Sequence, residues 1–242
     1  MGEAALWGLA GASSLLIGAA IGTRVPISDR AIGLILGFGA GTLISALAFE
    51  LTEEAFALGG ADAVALGLAL GAFAYYVGDR EIQRRGGGQR MNRRGEQDPD
   101  AATALLLGAV LDGIPESVVI GITLLGGEGV GIPVLAAVFI SNMPEALSSA
   151  KGMQRAGARP DHILRRWLLV VLASGIAAGI GFGALDGASG NTIGLIDAFA
   201  AGAVLTMLAD TMIPEAHKGA PGAVGLFTVL GFALAYLLST LE

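Results

Sequence analysis

The sequence predicts an all-α integral membrane protein with eight transmembrane helices arranged as an inverted repeat. Three observations predict this fold class: the composition, the recurrence of long apolar runs, and the position of every basic residue on one side of those runs. Hydrophobic residues make up 54% of the 242 residues and charged residues only 14%. A soluble globule of this size would have too few polar side chains to cover its surface, so that class is excluded.

The apolar runs are each roughly 18 to 25 residues long, which is enough to cross about 30 Å of hydrocarbon as a helix. Most of the connections between them are short, so we expect a single membrane domain covering residues 1–242. The sequence contains no cysteine, which excludes disulfides and thiolate metal sites. The eight predicted spans are residues 5–22, 31–55, 62–79, 101–124, 131–154, 164–185, 192–217 and 221–241.

All 14 lysine and arginine residues lie within or beside the connections that follow spans 1, 3, 5 and 7. Under the positive-inside rule that side is cytoplasmic, so both termini are predicted to lie outside and loop 80–100 inside. Adding or removing one span would put basic residues on both sides, which supports the count of eight. The short connections favour the cytoplasmic membrane of a prokaryote.

An internal repeat relates span 2 to span 7. Residues 38–55 and 199–216 align without gaps at an offset of 161, with seven identities in 18 positions. The two spans cross the membrane in opposite directions. The pattern is typical of an inverted-topology transporter in which spans 1–3 mirror spans 6–8 around the central spans 4 and 5.

The two central spans carry related polar motifs, Asp-Gly-Ile-Pro-Glu at 112–116 and Ser-Asn-Met-Pro-Glu at 141–145. Helical spacing places Asp112 beside Glu116, and both Ser141 and Asn142 beside Glu145. The prolines loosen backbone carbonyls, and the side chains supply carboxylate, amide and hydroxyl oxygens, which together form an oxygen-ligand set for a cation. Alternatively, each Pro-Glu pair only kinks its helix, and the acids are protonated and hydrogen-bonded. Because charges persist inside a membrane mainly where they bind something, we favour the cation site.

Further acids flank the centre. Glu50 and Glu54 lie at the predicted outer end of span 2, and Asp210, Glu215 and His217 lie toward the inner end of span 7. Acids at the outer end, the centre and the inner end of the bundle predict a path for a cation. On this path Asp210 is predicted to be a further metal ligand. The residues predicted to line the route are Glu50, Glu54, Glu215 and His217.

These motifs resemble those of the ZIP (Zrt/Irt-like protein) family of divalent metal transporters. That family has His-Asn-x-Pro-Glu motifs on helices 4 and 5, and its His-Leu-Leu-Pro-Glu-Ala motif on helix 2 is similar to residues 50–55 here. The resemblance implies a 3+2+3 helix bundle and transport of a divalent cation toward the cytoplasm. It also implies that Asp112, Glu116, Asn142 and Glu145 are direct metal ligands.

The departures from the family pattern bear on which metal is carried. Asp112 and Ser141 stand where the family usually has histidine, and loop 80–100 contains no histidine. An imidazole-free site is harder and richer in oxygen, which favours ions such as Mn²⁺, Fe²⁺, Ca²⁺ or Mg²⁺. The sequence does not exclude zinc or cadmium as the transported ion, since carboxylates bind zinc too.

Other functions fit the sequence less well. The motifs of intramembrane proteases are missing, so no enzymatic activity is expected. The arginine-rich loop obeys the positive-inside rule and does not indicate nucleic-acid binding. A proton-coupled carrier of a small organic solute is the main rival, because intramembrane acids also serve as proton relays. The expected partners are divalent metal ions as cargo and the lipid bilayer, with no cofactor; a homodimer stays open.

Overall fold

The computed structural model describes residues 1–84, 99–125, 127 and 129–240, and for 99–105 it describes the backbone alone. This part of the chain is all-helical and contains no strand. Two π-helical turns, Leu47–Leu51 and Leu208–Met212, lie within the helical stretches. The α-helices are α1 Gly2–Arg24, α2 Asp29–Ala46, α3 Thr52–Ile82, α4 Pro99–Ile122, α5 Ile132–Arg155, α6 Pro160–Leu185, α7 Gly190–Met207, α8 Ile213–Gly219 and α9 Val224–Ser239.

Five helical stretches of the described chain are long and apolar enough to cross a membrane, which is compatible with an integral membrane protein. Helix α9 is apolar but shorter, at 16 residues. The count of eight spans stays a prediction, and residues 85–98 of the predicted loop 80–100 lie outside the described residues. The five stretches are Gly2–Arg24, Asp29–Ile82, Ile132–Arg155, Pro160–Leu185 and Gly190–Gly219.

The second stretch, Asp29–Ile82, contains 54 residues and would measure about 80 Å if it were straight. It is not straight, because Gly60 interrupts it with φ 69° and ψ −176°. That backbone conformation is open essentially to glycine alone. Gly60 therefore divides the stretch into two helical segments.

The helices pack in two groups. In the first group α1 contacts α5 and α6, and α4 contacts α6; in the second group α2 contacts α9, and α3 contacts α7. Trp167 is fully buried in an apolar cluster of the first group. The groups meet where α2 contacts α5 and where α4 contacts α7. Helices α4 and α5, which carry the two Pro-Glu motifs, therefore lie at the junction.

Close helix contacts recur at the offset found in the sequence. A Cβ added to Gly33 would lie 2.6 Å from the Ala216 carbonyl oxygen, and one added to Gly194 would lie 2.6 Å from that of Ala55. Advancing Gly33 and Ala55 by 161 residues gives Gly194 and Ala216. Small residues at these points let the backbones approach.

A second pair of close glycine contacts recurs at nearly the same offset. An added Cβ on Gly71 would collide with the Phe199 carbonyl, and one on Gly231 would collide with the Phe38 carbonyl. Here the phenylalanines are 161 residues apart and the glycines 160. The packing of α3 on α7 thus has the same local form as the packing of α9 on α2.

Local helix features repeat as well. The hydroxyls of Ser28 and Ser189 cap α2 and α7 by accepting hydrogen bonds from backbone N–H groups three residues later, at 3.2 and 3.3 Å. The two π-helical turns also begin 161 residues apart. Because π-helical turns are rare, their matched positions are an unusual coincidence of local geometry.

We expect Gly60→Ala to lower the stability of the purified protein in detergent by about 1–3 kcal/mol, because alanine resists this backbone conformation. Gly225→Ala is the control, since Gly225 lies in α9 with open space around its Cβ position. The thermal unfolding midpoint measures both variants. An unchanged midpoint for Gly60→Ala would contradict this account of the break.

Candidate functional site

The α4 motif is buried at the junction of the two helix groups. Asp112 and Glu116 lie one turn apart on the same face, and each is only 2% exposed. The Tyr75 hydroxyl of α3 donates a hydrogen bond of 2.6 Å to Asp112 Oδ1. Asp112 is therefore held by the second helix group while its own helix belongs to the first.

Glu116 lies in different surroundings. Neither of its buried carboxyl oxygens has a hydrogen-bond partner among the described residues. Glu116 is the one ionisable residue among the described residues that line a small cavity of about 20 Å³, and its carboxyl oxygens are buried rather than exposed to that cavity. Buried carboxyl groups normally have partners, so this unsatisfied pair of oxygens requires an explanation. The other residues that line the cavity are Leu43, Ala46, Leu47, Leu51, Val119, Val134, Val138 and Val204.

The α5 motif lies on a helix that faces the same cavity. Val134 and Val138 line the cavity, and Asn142 continues their face one turn further along α5. Asn142 is buried, and its Oδ1 has no hydrogen-bond partner. Glu145 is 4% exposed. The two motifs thus bring buried oxygen donors to the junction from both central helices.

Ser141 does not match Asp112 in its chemistry. Its hydroxyl donates a 3.0 Å hydrogen bond to the Val138 carbonyl of its own helix, a local bond that involves no neighbouring helix. Its backbone nevertheless lies close to α2, because a Cβ added to Gly39 would be 3.0 Å from the Ser141 Cα. Position 141 therefore serves close packing, whereas position 112 receives a hydrogen bond from α3.

The inner end of the predicted path also contacts α5. Glu215 of α8 is 7% exposed, and the Ser148 hydroxyl donates a hydrogen bond to its Oε1. Ser148 follows Glu145 by three residues and so lies on the same side of α5. Neighbouring His217 is exposed.

The other predicted residues lie nearer the surface. Glu50 is half-buried and accepts a 2.5 Å hydrogen bond from the Ser239 hydroxyl of α9. Glu54 and Asp210 are exposed. Asp210 therefore differs from the other four predicted ligands, all of which are buried. Within the described ranges, no three Asp, Glu or His side chains lie close enough together to hold a metal ion.

Sequence reasoning missed two residues. Tyr75 gave no signal, because a tyrosine in an apolar helix is ordinary until its partner is known. Asp197 did give one, since it is an acid within predicted span 192–217, and in the structure it is 2% exposed. Its Oδ2 has no hydrogen-bond partner.

Comparison with known proteins adds no relative: no family model matches the chain, and no curated protein is significantly similar to it. The resemblance to the ZIP family therefore depends on the motifs and the predicted topology.

We expect Tyr75→Phe to destabilise the protein by about 1–3 kcal/mol, because it removes the hydroxyl that donates to buried Asp112. Tyr76→Phe is the matched control: its hydroxyl accepts a hydrogen bond from Arg80 at an exposed position. Thermal unfolding in detergent compares the two. Equal midpoints would show that the Tyr75 hydrogen bond contributes nothing to stability.

Proposed function

We propose that this protein is a membrane transporter that carries a divalent metal cation toward the cytoplasm through a site between α4 and α5. The observation that carries the proposal is the Glu116 carboxyl: its two buried oxygens have no hydrogen-bond partner among the described residues, and Glu116 itself lines a small cavity between the helices. An ionised carboxylate is stable in such a place only if a cation or several donors approach it. A divalent ion bound beside the carboxyl group would supply the missing partner.

The neighbouring donors suit the same cargo. Asp112 is one turn from Glu116, and the unsatisfied Oδ1 of Asn142 belongs to a face of α5 that lines the cavity. Glu145 occupies the position in α5 that Glu116 occupies in α4. Carboxylate and amide oxygens are the donors that hard divalent ions prefer. In the proposal these four side chains bind the ion, which requires them to approach one another more closely when it is present.

The flanking residues form the route in this proposal. Glu50 and Glu54 receive the cation at the outer end, and Glu215 accepts it at the inner end near His217. The hydrogen bond from Ser148 to Glu215 supports the inner step, because it joins α8 to the helix that carries Asn142 and Glu145. Asp210 has the weakest support, since it is exposed.

The architecture proposed for transport has eight spans, with spans 1–3 and 6–8 as inverted repeats around α4 and α5. The matched glycine contacts, serine caps and π-helical turns at offsets of 160 and 161 support it. So does the antiparallel packing in which Gly33 meets Ala216 while Ala55 meets Gly194. Repeats of opposite orientation provide two related arrangements of one chain, as alternating access requires.

A proton-coupled carrier of a small organic solute is the second candidate. It is favoured by the cavity lining, which is apolar apart from Glu116. An apolar pocket with one polar group is typical of sites for organic ligands. The two candidates differ in whether flux requires a metal ion.

Proteoliposomes test the main proposal. We expect Glu116→Gln and Glu145→Gln each to reduce divalent-cation uptake by ~10-fold or more, since each removes an anionic ligand while keeping the side-chain size. Glu3→Gln is the control, because Glu3 is exposed in the first turn of α1. Unchanged uptake in both site variants would refute the site, and flux of an organic solute without any response to metal would favour the second candidate.

A cation series at several pH values gives a further prediction. We expect Mn²⁺, Fe²⁺, Ca²⁺ or Mg²⁺ to be carried at least as well as Zn²⁺ or Cd²⁺, because the proposed ligands contain no imidazole. Uptake should fall as the pH falls, since the carboxylates must be ionised to bind the ion. Exclusive transport of Zn²⁺, or uptake that rises with acidity, would contradict the proposed ligand set.

A further inference from the structure

Asp197 of α7 is a buried acid that the proposed cation site does not use. It is only 2% exposed, and its Oδ2 has no hydrogen-bond partner in the part of the chain that the structure describes. Within the described part of the chain it takes part in no ion pair. A carboxyl group in such surroundings is most stable as the neutral acid, because a buried charge requires a partner. The position is therefore suited to holding a proton.

Glu54 lies beside it on the neighbouring helix. The backbones touch here, since a Cβ added to Gly194 would lie 2.6 Å from the Ala55 carbonyl oxygen. Glu54 precedes Ala55, and its carboxyl group lies near that of Asp197. Unlike Asp197, Glu54 is exposed. An exposed acid and a buried acid thus lie next to each other near the predicted outer end of the helices.

Asp197 lies on the same face of α7 as a residue that lines the cavity beside Glu116. Val204, which lines the cavity, follows Asp197 by seven residues, which is two turns or about 10 Å along the same face of α7. Leu51, which precedes Glu54 by three residues, lines the cavity as well. Asp197 therefore lies between the outer end of the helices and the cavity that contains Glu116.

The described carboxyl groups around Asp197 come from several helices. Glu54 lies near Asp197, and Glu50 of the first π-helical turn lies near Glu54. On α3, the titratable Tyr75 comes one turn after Gly71, which packs against Phe199 of α7. On α4, Asp112 and Glu116 lie toward the cavity. Within the described part of the chain no basic side chain forms an ion pair with Asp197 or Glu54, so a proton is the simplest means of neutralising Asp197.

A proton fits this place better than a second metal ion does. Metal ions in proteins usually have three or more protein ligands, whereas Glu54 is the one described carboxyl group found near Asp197. Two carboxyl groups, one exposed and one buried, can pass a proton between them. Buried acids of transporters commonly have this role.

We propose that Asp197 is a proton-binding site that exchanges protons with the outer solution through Glu54 and lies on the route to Glu116. The proton leaves the Glu54 carboxyl, which becomes a carboxylate, and bonds to the Asp197 carboxylate, which becomes a neutral acid. Proton binding by Asp197 stands independently of the cargo, whereas its coupling to cation movement rests on the proposed function.

Infrared difference spectroscopy on the full-length protein in lipid tests the binding itself without any transport. Spectra recorded between mildly acidic and mildly alkaline buffer should contain a protonated-carboxyl C=O band that shifts on ¹³C labelling of aspartate. We expect this band to disappear in Asp197→Asn and to remain in Asp62→Asn, whose carboxylate is exposed at the same end of the protein. In Asp197→Glu the band should return without the aspartate isotope shift.

An unchanged aspartate band in Asp197→Asn would overturn the proposal, as would the lack of any such band in the unmodified protein. Circular dichroism and gel filtration establish that each variant is folded before it is compared. Should Asp197→Asn fail to fold, Asp197→Glu still tests the proposal, because the aspartate-labelled band must then vanish while the protein stays folded.

Transport tests the coupling. In proteoliposomes that contain a pH-sensitive dye, cation uptake should be accompanied by proton movement, which Asp197→Asn should reduce at least ~10-fold and Glu54→Gln should slow. Asp62→Asn should leave proton movement unchanged. Cation uptake without proton movement in the unmodified protein would overturn the coupling alone. If no cation is carried but the infrared band behaves as expected, the proposed function fails and the proton site stands.

Discussion

The structure depends on how acidic side chains are accommodated between apolar helices. A charged group is expensive to bury, so each buried acid must be neutral, hydrogen-bonded or matched by a cation. Asp112 has the Tyr75 hydroxyl and Glu215 has the Ser148 hydroxyl. Glu116 and Asp197 have oxygens without such partners, and the two proposals of a cation and a proton follow from that difference.

Glycine contacts make this arrangement sterically feasible. In an apolar bundle, helices approach most closely where side chains are smallest. The close contacts of Gly33, Gly71, Gly194 and Gly231 tie α2 to α8 and α9, and α7 to α3. These helices form the second group, against which α4 and α5 pack. The polar motifs are consequently held at a junction of two helix groups, where a relative shift of the groups would change their surroundings.

The helix contacts that recur at offsets of 160 and 161 residues match more closely in backbone than in chemistry. Gly71 and Gly231 make corresponding contacts, so Tyr75 in α3 corresponds to Ala235 in α9, and both are buried. Tyr75 reaches Asp112 of α4, whereas alanine has no hydroxyl to offer α5. In keeping with this, Ser141 bonds to its own helix. The hydrogen bond between Tyr75 and Asp112 thus has no counterpart at the matched positions Ala235 and Ser141.

The sequence by itself determined the helical class, most helix positions, and the burial of Asp112, Glu116, Asn142 and Glu145, because apolar runs and polar motifs within them are local properties. Only the tertiary structure decided that the Glu116 carboxyl is buried without a described hydrogen-bond partner, that Tyr75 bonds to Asp112, that Asp197 is buried near Glu54, and that Asp210 is exposed. The physical reason is that these helices are apolar on nearly every face. Periodicity then shows which residues share a face, but the direction of that face is set by the neighbouring helices.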